Sequence, residues 1–117
     1  MNSVTIKGVK YPLKWSYKVL MDFIKAENFE YVDQAYEPMI SWLNGGRLKS
    51  ETLFHIPKIV KLMIENASGE ELQLELDVIA EDVVNDTNNA LAIAKEIEDN
   101  SPKAEGEEKE DKKKVKD

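Results

Sequence analysis

The chain opens on short alternations of apolar and polar residues and then changes to a longer period. Val4-Thr5-Ile6 is β-branched throughout, and Val4 and Ile6 share one face of an extended segment. Lys7-Gly8-Val9-Lys10 supplies a turn, with Gly8 free to take positive φ. Tyr11, Leu13 and Trp15 then alternate with Pro12 and Lys14, which predicts a returning strand. Pro12 cannot donate to a ladder, so this strand is an edge, or Pro12 sits on its open side. Two short strands are marginal alone in water and need a helix against their apolar face.

From Ser16 onward the period is helical. Ser16 is the expected N-cap of a helix whose stripe is Val19, Leu20, Phe23 and Ile24 and whose stop is Asn28. A second helical stretch covers about Tyr31–Leu43, with Val32, Ala35, Tyr36, Met39, Ile40 and Leu43 as its apolar set. Pro38 lies inside it and predicts a kink, or two short helices meeting near Glu37. Asn44-Gly45-Gly46 ends the stretch. Ser50-Glu51-Thr52 opens a short helical turn carrying Leu53 and Phe54, and Pro57 suits the first position of a separate helix with the stripe Ile56, Ile59, Val60, Met63 and Ile64. Ser68-Gly69 stops it.

Leu72–Leu76 alternates strictly, yet Leu72, Leu76, Ile79, Ala80 and Val83 also fit a helix. The reading adopted is an extended piece over 72–76, open to pairing as a third strand, and a helix over Asp77–Asn85. Asp86 or Thr87 caps a last helix with the face Ala90, Leu91, Ala94 and Ile97. The expected fold class is α+β, mainly helical: an N-terminal β-hairpin packed on a small bundle of about four to five short helices.

Composition changes the picture at the C-terminal end. Beyond Asp99 only Ala104 and Val115 are hydrophobic, and Lys and acidic residues alternate in blocks. Residues 1–99 therefore read as a single globular domain and 100–117 as a disordered charged tail. The tail is charge-neutral, so the net charge of −7 belongs to the body. A field of that sign repels phosphate backbones and anionic headgroups, and no nucleic-acid or membrane partner is expected. No apolar run approaches the roughly 18 residues of a membrane span, and the first residues lack a signal-peptide core. A cytoplasmic location is the expectation.

Chemistry is sparse. Cysteine is absent, which removes thiol nucleophiles and Cys-based zinc sites. The one histidine, His55, lies between Phe54 and Ile56 and reads as a packed or solvated residue rather than a general base. The carboxylates from Glu70 to Asp82 match no calcium-loop spacing and read as a solvated face. Asn44-Gly45-Gly46-Arg47 lacks the spacing of a phosphate loop. No catalytic, cofactor-binding or metal-binding residue is assigned, no cofactor is expected, and the chain is taken as a non-enzyme.

The aromatics say more. All nine fall within residues 11–54. Trp15 and Phe23 read as core, while Tyr31, Tyr36 and Trp42 flank the second helical stretch of a body too small to hide every ring. With Met39 and Ile40 they form the candidate partner-binding patch: Tyr31, Tyr36, Met39, Ile40 and Trp42.

Residues 4–23, from Val4-Thr5-Ile6-Lys7-Gly8 through Tyr11-Pro12-Leu13-Lys14-Trp15 to Asp22-Phe23, resemble the start of phage and prophage tail assembly chaperones. Those begin with a strand, a hydrophobic–lysine–Gly–X–X–Tyr turn, a returning strand and a helix. The resemblance extends over residues 4–29 and continues to residue 99 in architecture only. It implies a protein of the host cytosol, absent from the virion, that binds the long apolar tape measure protein and helps recruit tail tube protein subunits. It also implies a longer frameshifted form, for which the codons of Lys112-Lys113-Lys114 are a candidate slippery run. Self-association through the Pro12 edge strand or the aromatic patch is a further route open to the chain. The rival function is an acidic regulatory adaptor or inhibitor that docks on a basic protein.

Overall fold

A computed structural model describes residues 2–45 and 48–100. Strands β1 (Ser3–Ile6) and β2 (Val9–Pro12) are followed by helices α1 (Tyr17–Glu27), α2 (Asp33–Leu43), α3 (Ser50–Ser68), α4 (Leu76–Val83) and α5 (Thr87–Asn100). The α+β class, with an N-terminal hairpin on five helices, is as expected. The charged tail from residue 101 and the Gly46-Arg47 pair lie outside the described residues.

The hairpin is tighter than the pattern predicts. Lys7 (φ 52°) and Gly8 (φ 80°) both adopt positive φ, the signature of a two-residue turn matched to strand twist. Pairing therefore resumes at Val9, not after Lys10, and the register sets Val4 opposite Tyr11 and Ser3 opposite Pro12. The Leu13 N–H donates to the Asn2 carbonyl (2.9 Å), so Asn2 and Leu13 form a hydrogen-bonded pair and the adjacent Pro12 points its missing donor away from β1. Leu13 and Trp15 keep the alternation beyond the strand's end, where the Lys14 N–H bonds the Met63 carbonyl of α3 (3.2 Å). Of the outward-facing residues along the β2 edge, Pro12 has no donor and Lys14 is held by α3. That leaves little for a pairing strand.

The helix boundaries at Asn28 and Gly69 fall where the residues predict. Both adopt left-handed backbone (φ 59° and 77°), and each N–H caps its helix, on the Ile24 and Glu65 carbonyls. Ser16 occupies the N-cap position of α1, but its hydroxyl receives the Asn66 side chain (3.0 Å) instead of capping. Asp86 is the cap of α5: its Oδ1 accepts the Asn89 N–H (3.0 Å).

Three expectations need correction. Pro57 does not begin a helix; α3 runs continuously through it. An interior proline costs about 3 kcal/mol. The buried stripe Thr52, Ile56, Ile59, Val60, Met63 and Ile64 crosses it unbroken, and roughly 1.5–3 kcal/mol per fully buried aliphatic side chain outweighs that cost. Of the two alternatives at Pro38, two short helices meeting near Glu37 is ruled out: Pro38 lies within a single α2, which begins at Asp33. Tyr31 belongs to the preceding turn, where the Gln34 Oε1 accepts the N–H groups of Glu30 (2.9 Å) and Tyr31 (2.8 Å). Residues 71–75 belong to neither helix nor strand, with Glu75 in extended backbone, so among the described residues the sheet has two strands and no third.

The third correction concerns α5. Its buried residues are Asn89, Ile93 and Glu96; of the expected face, Ile97 packs half-buried against the core, Ala90 and Ala94 are half-buried, and Leu91 is exposed. The helix is rolled so that two polar side chains face the hairpin. Asn89, 5% exposed, accepts the Thr5 N–H (2.9 Å) and donates to the Thr5 and Asp82 carbonyls (3.0 and 2.9 Å). It thus imitates a neighbouring strand on the open edge of β1 and ties in α4. Glu96, 7% exposed, accepts from the Asn2 side chain (2.9 Å), the Trp15 N–H (2.9 Å) and the Asn100 side chain (3.0 Å). These bonds fix both ends of the hairpin against one helix face. The apolar core, including Val4, Ile6, Leu13, Phe23, Ile59, Met63 and Ile79, fills the space between hairpin and helices.

Lys7 adds an electrostatic clamp at the turn. Its backbone N–H bonds the Asp82 carboxylate, and its ammonium contacts Glu81 and lies 3.9 Å from Asp82. The Glu81 hydrogen bond, with the nearby charges, raises the Lys7 pKa above its ordinary 10.5. A raised folded value favours the folded state while Lys7 is charged; the contribution is complete below the unfolded value and is lost as pH rises through the folded one. The difference in stability between wild type and Lys7→Met should be constant from neutral pH to about pH 9 and shrink above about pH 10.5. Chemical denaturation across that range checks it. A difference that grows with alkalinity would contradict the clamp.

Candidate partner-binding surface

The α2 sequence presents apolar side chains around more of its circumference than the core can cover. Ala35, Pro38 and Met39 face inward. Met39 is 3% exposed and belongs to the core, so it is not available to a partner. Tyr36, Trp42 and Leu43 are half-buried and pack against the core, and the Tyr36 ring lies 6.0 Å from that of Trp15. Tyr31 (62% exposed) and Ile40 (56%) face outward. Four of the five patch residues are thus at least partly accessible: Tyr36 and Ile40 line one cleft, Trp42 another, and Tyr31 neither.

Among the clefts that α2 lines, two include residues of the candidate patch. One, of about 630 Å³, is lined by Tyr36 and Ile40 with Asp33, Gln34, Glu37, Ser41 and Lys49. The Lys49 ammonium lies 3.6 Å from the Glu37 carboxylate across it. The other, of about 330 Å³, separates the end of α2 from α5. Trp42 and Leu43 meet Ala90, Leu91 and Ala94 there, with Val84–Thr87 closing one end. Leu91 is 62% exposed. The sequence pattern missed this second wall because it assigned Leu91 and Ala94 to the core.

Charge is segregated along the fold. Between Leu62 and Ala94 the sequence has eight acidic residues and no Lys or Arg. That exceeds the chain's whole net charge of −7, so the remaining residues carry a slight positive excess. The acidic stretch comprises the end of α3, the 71–75 connection, α4 and the start of α5.

His55 lines a smaller cleft of about 140 Å³, with Gln34, Glu37 and Pro38 of α2. Its ring stands edge-on to Phe23 (5.7 Å) and Phe29 (5.6 Å), and its Nε2 lies 3.5 Å from Glu27 Oε1. Glu27 also pairs with Lys58 (2.8 Å). The group joins α1 to α3. Among the described residues, no three His, Asp or Glu side chains come together as a metal site, and no helix is long and apolar enough to cross a membrane.

No family model, curated protein or solved structure matches the chain. The remaining arguments therefore stand on the residues themselves. Apolar side chains beside two clefts, on an acidic body, can bind a protein segment by burial and exclude like-charged partners by repulsion.

Proposed function

We propose that this chain is a non-catalytic phage tail assembly chaperone that binds the tape measure protein and helps recruit tail tube subunits. Two independent lines support the reading: the resemblance of residues 4–29 to that family, and the outward apolar side chains of α2. The observation that carries it is the second. Ile40 and Tyr31 are exposed, and Trp42 borders a cleft, on a body whose charge keeps copies apart. A holdase needs this combination of apolar contact and solubility. The cytosolic location and the absence from the virion belong to the same proposal.

Co-expression with a tape measure protein and recovery of the complex tests it. Wild type should hold the partner in solution. Ile40→Asp and Trp42→Ala should each weaken recovery about tenfold while the far-ultraviolet dichroism stays native, since truncating a buried interface anchor costs more than 1 kcal/mol. If the wild-type chain fails to solubilise the tape measure protein, the function is wrong. Unchanged recovery by both variants leaves the function and removes the site.

The concentration of acids between Leu62 and Ala94 supports a second reading, an acidic adaptor or inhibitor on a basic protein. Its binding would fall steeply with salt. The chaperone reading requires modest salt sensitivity and a large negative heat-capacity change from apolar burial.

A further inference from the structure

We infer that the cleft between α2 and α5 takes a segment of a partner protein that brings a large apolar side chain and, within about one helical turn of it, a lysine or arginine. This rests on reading the chain as a protein-binding module, whatever the assembly it serves. The cleft follows from the roll of α5. Because Asn89 and Glu96 are committed to the hairpin, the opposite stripe turns outward and leaves Leu91 and Ala94 facing Trp42 and Leu43. The resulting space, about 330 Å³, accommodates a large aliphatic or aromatic side chain.

The chemistry of the occupant is set at the closed end. Asn85 and Asp86 line this cleft and also line the next one, whose other walls include Glu81 and Asp82. The apolar cleft and an acidic pocket therefore share the Asn85–Asp86 wall. Asp86 and Ala90 are a single helical turn apart, about 6 Å along the axis. Among the described residues Lys7 pairs with Glu81 and Asp82, and its single charge offsets one of the three carboxylates, Glu81, Asp82 and Asp86. An incoming cation is attracted by the remainder, and an incoming carboxylate is repelled. Apolar burial supplies the contact, and charge selects the segment and its direction.

The test uses the full chain, uniformly ¹⁵N-labelled, and a synthetic amphipathic helix of leucine and lysine. Two twins carry glutamate in place of lysine or serine in place of leucine. The Leu/Lys peptide should shift the amides of Asn85–Leu91 and the Trp42 indole, and both twins should bind at least tenfold more weakly. Leu91→Ser should weaken the Leu/Lys peptide about fivefold, and Glu81→Gln should lower both affinity and salt dependence. Equal binding by the glutamate twin, shifts confined to other faces, or an unchanged Leu91→Ser variant would overturn the inference. So would occupancy from within. If replacing Lys112, Lys113, Lys114 and Lys116 by serine shifts the same amides in the free protein, the chain's own end fills the cleft. If those shifts depend on protein concentration, a second copy does. A chain that takes the peptide here but fails to hold a tape measure protein keeps this inference and loses the earlier proposal.

Discussion

Glu96→Ala should lower the free energy of unfolding by about 3 kcal/mol, because a charged acceptor disappears from beneath a buried N–H. The carboxylate receives three donors from separate parts of the chain: the Asn2 side chain, the Trp15 backbone and the Asn100 side chain. The Trp15 N–H has no route to water once the acceptor is gone, since Trp15 is itself buried. In a domain of this size the loss corresponds to a fall in Tm of roughly 10–20 °C. Glu96→Gln retains one acceptor oxygen and should cost about 1 kcal/mol. Denaturant unfolding with constant m-value measures both. The ordering is the decisive feature: if alanine and glutamine cost the same, the hydrogen bonds to Glu96 do not hold the hairpin.

Asn89→Ala should cost a similar amount, about 3 kcal/mol, by exposing the Thr5 N–H and carbonyl to an empty space at the edge of β1. The informative comparison is Asn89→Asp. Aspartate is nearly the same shape and keeps the acceptor for the Thr5 N–H. Its second oxygen, however, faces the Thr5 and Asp82 carbonyls, where the amide donated two bonds. Acceptor against acceptor in a buried site is repulsive, so aspartate should be at least as damaging as alanine. Hydrogen exchange at the Thr5 amide separates local from global loss. Protection at Thr5 that survives in Asn89→Ala would contradict the edge-covering role.

Both residues mark where reading the pattern of apolar positions reaches its limit. Asn89 and Glu96 are polar and lie outside the apolar face that the pattern assigned to the last helix. Periodicity sorts residues by hydrophobicity and assumes that polar means outward. Here each polar group is buried because its partner is a backbone N–H more than 80 residues away in sequence, 84 for Asn89 and 81 for Glu96. Nothing local to α5 announces those partners. The error is a rotation of about a third of a turn around the helix axis, and it concealed the wall of the α2–α5 cleft by placing Leu91 in the core.

The candidate patch shows the same division. Aromatic density around Pro38 is legible in the residues, and Tyr31 and Ile40 are exposed as that density suggests. Met39 is not, because α2 remains one helix through Pro38 and carries Ala35, Pro38 and Met39 inward together. A break near Glu37 would have turned Met39 elsewhere. The cost of the proline is local, whereas the burial that overrides it is collective.

The amino-acid sequence alone determined the features that depend on near neighbours and on totals. The β-branched opening and Gly8 specify a hairpin, Asn28 and Gly69 end their helices through left-handed backbone, and Asp86 starts α5 through its side chain. The excess of carboxylates is likewise a property of composition. Only tertiary structure decided the continuity of α2 and α3, the unpaired path of residues 71–75 and the roll of α5. Each of these balances a local preference worth a few kcal/mol against contacts that exist only once distant segments have met, and the distant contacts win.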